Sequence, residues 1–207
     1  MKILINLSNH HIHLSEEDLA KLFGENYQLQ KLHDLVQPGQ FAAKETVTIK
    51  GAKGEIKNVR VLGPPRKQTQ CEIMLSDVFH LGVENPQIRL SGDLKGSSPF
   101  TIIGPAGTAK KSEGLIIAKR HIHLDPKTAK KWGVEHGQEV AVRAGLEERN
   151  IVFEDVIIRV NENFLPECHI DFEEGNSGGI KNGDKGLVLM IDNKKCEICF
   201  SLKGCRA

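Results

Sequence analysis

The tetrapeptide His-Ile-His-Leu occurs twice in the chain, at His11–Leu14 and at His121–Leu124. Alternate residues of a β-strand face the same side, about 6.5 Å apart along the backbone. Each copy therefore presents two imidazoles that can converge on one metal ion. A lone pair of this kind is commonly a surface or packing feature. Repetition about half a chain apart points instead to duplicated units serving one metal centre. Imidazole and carboxylate ligands suit zinc, cobalt or nickel. Two histidines are too few for a stable zinc site, and Glu72 and His169 are the natural third ligands. Each directly follows a cysteine, Cys71 and Cys168, which strand alternation turns toward the core. The candidate ligand sets are thus His11, His13 and Glu72, and His121, His123 and His169. By the same alternation His10 points away from the first pair, and His33, His80 and His136 read as ordinary surface or core residues.

Five further stretches could carry chemistry. Gly63-Pro-Pro-Arg66-Lys67 reads as a stiff turn that holds a planar, permanently charged fork suited to phosphate. A solvated basic turn would look the same, but Glu72 lies close by. Gln37-Pro-Gly-Gln-Phe-Ala-Ala-Lys44 has small residues that permit close approach of a ligand, so Gln37, Gly39 and Lys44 are candidate substrate-binding residues; a tight barrel turn would need the same glycine. Ser91-Gly92 and Gly104–Gly107 are turns or phosphate loops. Cys196-Glu-Ile-Cys199, with Cys205 beyond it, is either a small metal or redox site or three ordinary thiols. No Walker motif, strand-linked GxGxxG or GxSxG is present.

Short strand-like runs dominate the chain, with Gly, Pro, Asn and Asp between them. They include Ile3–Leu7, Glu45–Lys50, Val59–Leu62, Gln70–Leu75, Phe100–Ile103, Gly114–Ala118, Glu139–Arg143, Ile151–Val160, Leu187–Ile191 and Glu197–Leu202. This spacing favours antiparallel barrels over a parallel α/β sheet. Gly51–Gly54 reads as a hairpin loop. The helices are short. Ser15 caps a first one, Asp125-Pro126 opens another, and Ser76–Leu81 ends at Gly82. Both histidine strands therefore run straight into a helix. The repeat extends weakly, with Pro38-Gly39-Gln40 echoed by His136-Gly137-Gln138 and Val59-Arg60-Val61 by Ile158-Arg159-Val160. The expected fold is mainly β: two pseudo-duplicated barrels capped by short α-helices, with the active site between them. The stretch Ser91–Ser98 reads as a surface loop.

The net charge of +1 over 207 residues gives no electrostatic footprint for nucleic acid or an anionic membrane. The start, Met1–Asn6, reads as a strand and not as a signal peptide, and no stretch is long and apolar enough to span a bilayer. Five cysteines form no secreted framework. A cytoplasmic protein is expected.

Asn9-His-His-Ile-His-Leu-Ser15, Gln37-Pro-Gly-Gln-Phe-Ala-Ala-Lys-Glu45, Val59–Gln70, Arg89-Leu-Ser-Gly92, Arg120–Leu124 and His169-Ile-Asp171 together resemble the phosphate propanoyltransferases, or PduL-type phosphotransacylases. The match runs in order over nearly the whole chain. The resemblance implies two β-barrels, one built from residues 1–10 and 118–207 and the other from 11–117. It implies a two-zinc site held by the two ligand sets above, with Arg66 binding phosphate and Ser91 near the reacting groups. The reaction would interconvert an acyl-CoA, propanoyl or acetyl, plus phosphate with an acyl phosphate plus coenzyme A. A homodimer is expected on the same ground. The family usually has arginine where His10 stands, and Cys71, Cys168 and Phe172–Gly179 depart from its pattern. The N-terminal extension that directs some members to the lumen of a propanediol-utilization microcompartment is not seen. Two other readings use the same residues: a two-metal hydrolase of a phosphoester or thioester, and a metal-stabilised binding module without activity.

Overall fold

A computed structural model describes residues 1–190. The expected strand Glu197–Leu202, the end of Leu187–Ile191, and Cys196, Cys199 and Cys205 lie outside the described residues. In chain order the elements are β1 (Lys2–Ser8), β2 (His11–Ser15), α1 (Glu16–Phe23), β3 (Lys31–Asp34), β4 (Phe41–Lys50), β5 (Glu55–Arg66), β6 (Gln70–Ile73) and α2 (Leu75–Leu81). There follow β7 (Ile88–Arg89), β8 (Ser98–Ile103), β9 (Thr108–Ala118), β10 (His121–Leu124), α3 (Pro126–Trp132), β11 (Glu139–Ala144), β12 (Ile151–Val160), β13 (Glu167–Asp171), α4 (Phe172–Gly178) and β14 (Lys185–Met190).

The fold is mainly β, with few and short helices. Strands β1-β13-β10-β12-β11-β14 close a barrel. The remaining strands run β3-β4-β5-β2-β6-β9-β7, and β8 pairs with both β4 and β9. That last pairing closes β4-β5-β2-β6-β9-β8 into a ring as well, the first ring in chain order. The two rings match strand for strand. Each histidine strand lies between a parallel neighbour (β5 or β12) and an antiparallel one (β6 or β13). The antiparallel neighbour in turn pairs in parallel with β9 or β1.

The chain order shows an exchange. Strand β1 leads directly into β2 but pairs with β13 and β14 of the other ring. Strand β9 leads directly into β10 but pairs with β6 and β8 of the first ring. Each ring is therefore completed by the strand that introduces the other ring's histidine strand.

Within each ring the inward residues make a separate core. One holds Ile12, Leu14, Val59, Val61, Cys71 and Leu115. The other holds Ile5, Ile122, Leu124, Ile158, Cys168 and Ile170. The central isoleucines face the cysteines across the ladder, Ile12 opposite Cys71 and Ile122 opposite Cys168. Alternation then sends the flanking histidines to the other face.

The helix starts follow their caps. Ser15 accepts from the Asp18 amide, and Asp125 accepts from the Thr128 amide ahead of Pro126. Helix α2 begins at Leu75, one residue before the expected Ser76, because the Asp77 carboxylate accepts the Met74 amide at 2.9 Å. Helix α4 was not expected, since Gly175 and Gly178 are poor helix formers. Reciprocal bonds between Asp171 and Glu174 start it. Gly175 is required by a close approach: a Cβ there would meet Leu7 Cδ2 at 2.5 Å.

One local reading needs correction. Gly63-Pro-Pro65 is not a free turn but lies inside β5, where the β2–β5 register shifts between His13 and Ser15. Proline is tolerated at such an irregularity because no ladder N–H is required there. The Ser91–Ser98 stretch is anchored, with Leu94, Ser97 and Ser98 buried. The Ser97 hydroxyl bonds to Leu94 O and accepts the Gly114 amide.

Ile122 is wholly buried, so Ile122→Ala should lower the unfolding free energy by about 2–5 kcal/mol in a urea titration. Burial raises the Cys71 thiol well above its ordinary value and pushes Cys168 up to about 12. Both should therefore escape alkylation by iodoacetamide at neutral pH in the folded protein and react fully in denaturant, as peptide mapping would read out.

Candidate metal centre

The ladders set the first contacts. In the β2–β6 pair His11 stands opposite Glu72 and His13 opposite Gln70. In the β10–β13 pair His121 stands opposite His169 and His123 opposite Glu167. Each group of three, His11–His13–Glu72 and His121–His123–His169, brings one ligand atom per residue within 4.8 Å of the others. The structure thus brings together all six residues singled out as ligands. His11 Nε2 lies 3.4 Å from Glu72 Oε2. The rings of His121 and His123 are 4.7 Å apart, and each lies 4.9 Å from that of His169.

Neighbouring acceptors choose the tautomers. His11 Nδ1 lies 2.8 Å from Asn9 O, and His121 Nδ1 lies 2.9 Å from Lys119 O. A ring nitrogen facing a carbonyl carries the proton, so both residues keep Nε2 as a free lone pair. The Nδ1 atoms of His13 and His123 are buried without a partner among the described residues. An unpaired buried nitrogen costs about 1–3 kcal/mol, and a divalent cation would satisfy it. Five imidazoles and one carboxylate fit zinc, which accepts nitrogen and oxygen ligands.

The environment keeps His13, His121 and His123 neutral, as metal ligation demands. Burial lowers His13 well below its ordinary value, with Arg66 and His11 adding to the shift. Burial, then His169, brings His121 down to about 3. Burial with His121 and His169 brings His123 down to about 2. Glu72 runs the other way. Burial alone would raise it, but His11, His121, Arg66 and a hydrogen bond with Ser91 together bring it below its ordinary value. Charge does act across the junction: against the larger effect of burial, the Glu72 carboxylate acts to raise the pKa of Arg159, a guanidinium of the other ring.

Both ligand groups open onto one cavity of about 620 Å³, whose walls include Arg66, Ser91 and Arg159. The Arg66 guanidinium donates to Ser91 Oγ at 3.1 Å, and Gln70 Nε2 donates to the same oxygen at 2.8 Å. Gln70 also donates to Glu72 Oε1 at 2.6 Å, while its own Oε1 accepts the Gly92 amide at 2.7 Å. From the other ring, Arg159 Nη2 reaches Ser91 O at 3.4 Å. Its guanidinium sits 6.0 Å from the centre of the Phe164 ring, which packs at 4.1 Å on His123. Burial lowers the pKa of Arg66 and of Arg159, yet a guanidinium stays charged at neutral pH.

Some expectations fall elsewhere. His10 and His33, read as outside the site, line the cavity. His10 precedes β2, so alternation does not govern it; its Nδ1 lies 3.4 Å from Asp77. Gln37, Gly39 and Lys44 do not line the cavity. Gly39 occupies a left-handed turn at φ 75°, which is the tight-turn reading of that stretch. Lys44 is exposed. Gln37 is buried, and its amide bonds to Leu165 and Glu167 of the other ring.

Arg159, Gln70 and Glu167 escaped the sequence reading as site residues. The repeat of Val59–Val61 in Ile158–Val160 touches Arg159, but the ladders align it differently: Val61 and Ile158 are equivalent, each opposite the central isoleucine. Arg159 therefore stands opposite His123 and in the cleft. Gln70 and Glu167 each sit two residues before a ligand, on the same face of their strand. That spacing was available as a signal.

A family model described as phosphate propanoyltransferase matches residues 4–181. A phosphate propanoyltransferase of Thermotoga maritima is 53% identical over 190 residues, covering 92% of this chain and 89% of that protein. One of Rhodopseudomonas palustris is 49% identical over 183 residues, with 88% and 80% covered. One of Clostridioides difficile is 48% identical over 187 residues, with 90% and 88% covered. With the match spanning both rings and both histidine strands, the chain belongs to the phosphate propanoyltransferase family.

Proposed function

We propose that the chain is a phosphotransacylase that interconverts an acyl-CoA, propanoyl or acetyl, plus phosphate with an acyl phosphate plus coenzyme A. The cytoplasmic setting and the homodimer implied by the sequence resemblance belong to the same reading. The observation that carries it is the shared cavity: two candidate ligand groups, together with Arg66 and Arg159, line one cleft between the rings. Relatives named for this reaction at about half identity over both rings support it.

Phosphate is a weak, well-hydrated nucleophile and must be desolvated and oriented. Arg66 supplies a charged planar fork for two phosphate oxygens. Ser91 and Gln70 hold that fork in place. Arg159 adds a second positive charge on the opposite wall, so an incoming dianion exchanges water for fixed donors. His11, His13 and Glu72 would hold one zinc ion and His121, His123 and His169 the other. Bound zinc would supply positive charge to a phosphate oxygen, to the thioester carbonyl or to the departing sulfur.

A phosphate oxygen adds to the thioester carbonyl carbon, and the C–S bond of the tetrahedral species then breaks. Coenzyme A leaves as the thiolate and takes a proton from solvent. Substrates held side by side in one cleft need no covalent enzyme intermediate. Cys71 and Cys168 are buried in the ring cores and take no part.

Incubated with propanoyl-CoA and excess phosphate, the protein should release free thiol and acyl phosphate in equal amounts. Activity should stop on chelation and return with zinc. Free propanoate in place of acyl phosphate would favour the two-metal hydrolase. No turnover of any acyl-CoA, together with unfolding on chelation, would favour a metal-stabilised binding module. Arg66→Ala should lower kcat/KM for phosphate by about 10- to 100-fold, the worth of one charge-assisted hydrogen bond, with melting temperature unchanged. An unaltered phosphate KM and kcat would remove Arg66 from this role.

A further inference from the structure

Glu167 is buried beside the second ligand group, on β13 two residues before His169. Its Oε2 lies 2.9 Å from His169 Nε2. The same oxygen accepts from Gln37 Nε2 at 2.9 Å, and Oε1 accepts from Asn6 Nδ2 at 3.0 Å. Both carboxylate oxygens are therefore used. Gln37 is itself fixed, donating to Leu165 O at 3.1 Å and accepting from Leu165 N at 3.2 Å. The carboxylate is thus held from two sides: by a loop of the first ring and by the exchanged strand β1.

The first ligand group has a counterpart at the same register. Gln70 faces His13 as Glu167 faces His123, and each stands two residues before the third ligand, Glu72 or His169. The types are complementary. The third ligand Glu72 is an acceptor, and an amide N–H donates to it at 2.6 Å. The third ligand His169 has a spare N–H, and a carboxylate accepts it. Brace and ligand have changed type together between the two halves.

From this we infer that Glu167 is a positioning residue for the second metal site: it accepts a hydrogen bond from His169 Nε2–H, turns Nδ1 toward the ion, and is held there by Gln37 and Asn6. The inference rests on the reading of His169 as a metal ligand. A carboxylate behind a ligating imidazole fixes its tautomer and orientation and raises its basicity, and removing such a partner typically costs 10- to 100-fold in metal affinity.

The test compares wild type, Glu167→Ala, Glu167→Gln and Gln37→Ala. Zinc content is measured after dialysis, and zinc affinity by competition with a chromophoric chelator, alongside thermal unfolding of the metal-free proteins. Wild type should hold two zinc ions per chain. Glu167→Ala should weaken one of them by about 10- to 100-fold and leave the other unchanged. Glu167→Gln keeps an acceptor oxygen for His169 and should recover much of that loss. Gln37→Ala should weaken the same ion by a smaller factor. A Glu167→Ala chain that binds both ions as tightly as wild type overturns the inference, and so does equal weakening of both ions with a lowered melting temperature of the metal-free protein. A wild-type chain that takes up no zinc overturns the metal reading itself, and this inference with it.

Discussion

Register across two short ladders is the constraint on which the site depends. A histidine strand of four or five residues can present two imidazoles, but not a third ligand. The third comes from the antiparallel neighbour, directly opposite the first histidine. A slip of one residue would send every ligand to the core and every core residue to the cleft. The buried isoleucine between each pair of histidines prevents that slip, because moving Ile12 or Ile122 into the cleft would forfeit about 1.5–3 kcal/mol of burial apiece. Hydrophobic packing on one face thus fixes which side chains meet on the other.

The polar side of the cleft depends on that packing in turn. His13, Gln70, Glu72, His121, His123 and Glu167 are all buried. Buried polar groups are tolerated only when their partners are supplied. Here they come from carbonyls just ahead of the histidines, from amides and carboxylates two residues along a strand, and from the opposite ring. Among the described residues three buried ring nitrogens have no hydrogen-bond partner, on His10, His13 and His123. The cleft is wired for oriented ligands, and Arg66 and Arg159 lie against that wiring and not on a flexible loop.

Much of this was legible in the sequence because it rests on local signals. Alternation pairs His11 with His13, and duplication makes the pairing persuasive. Ser15 and Asp125 mark helix starts through cap chemistry, and short strands punctuated by turn residues indicate a barrel. The place of Glu72 and His169 beside the histidines was readable because each follows a residue that belongs in the core. What was not legible depends on pairings between distant segments. Arg159 enters the cleft because β12 aligns with β10 at a register the repeat in the sequence does not reveal. Gln37 has the composition of a ligand loop but is used as a bridge to the other ring. His10 lines the cavity because it sits just before its strand, where the two-residue period has not begun. Helix α4 contains glycines that a local propensity scale penalises and that packing against Leu7 requires.

The reciprocal loan of β1 and β9 has a consequence for how such a molecule could arise. A single ancestral unit, consisting of an introducing strand followed by its histidine strand and the rest of one ring, cannot use its own introducing strand in the arrangement seen here. It closes only when a second unit donates one, so the smallest self-sufficient assembly is a pair with mutual strand donation. Joining two such units end to end replaces an encounter between molecules with an encounter inside one chain, at an effective concentration set by the linker. Once the partner is covalently guaranteed, the two copies are free to diverge. A carboxylate in one ligand position and an imidazole in the other, each with its own matching brace, is what such divergence would leave behind.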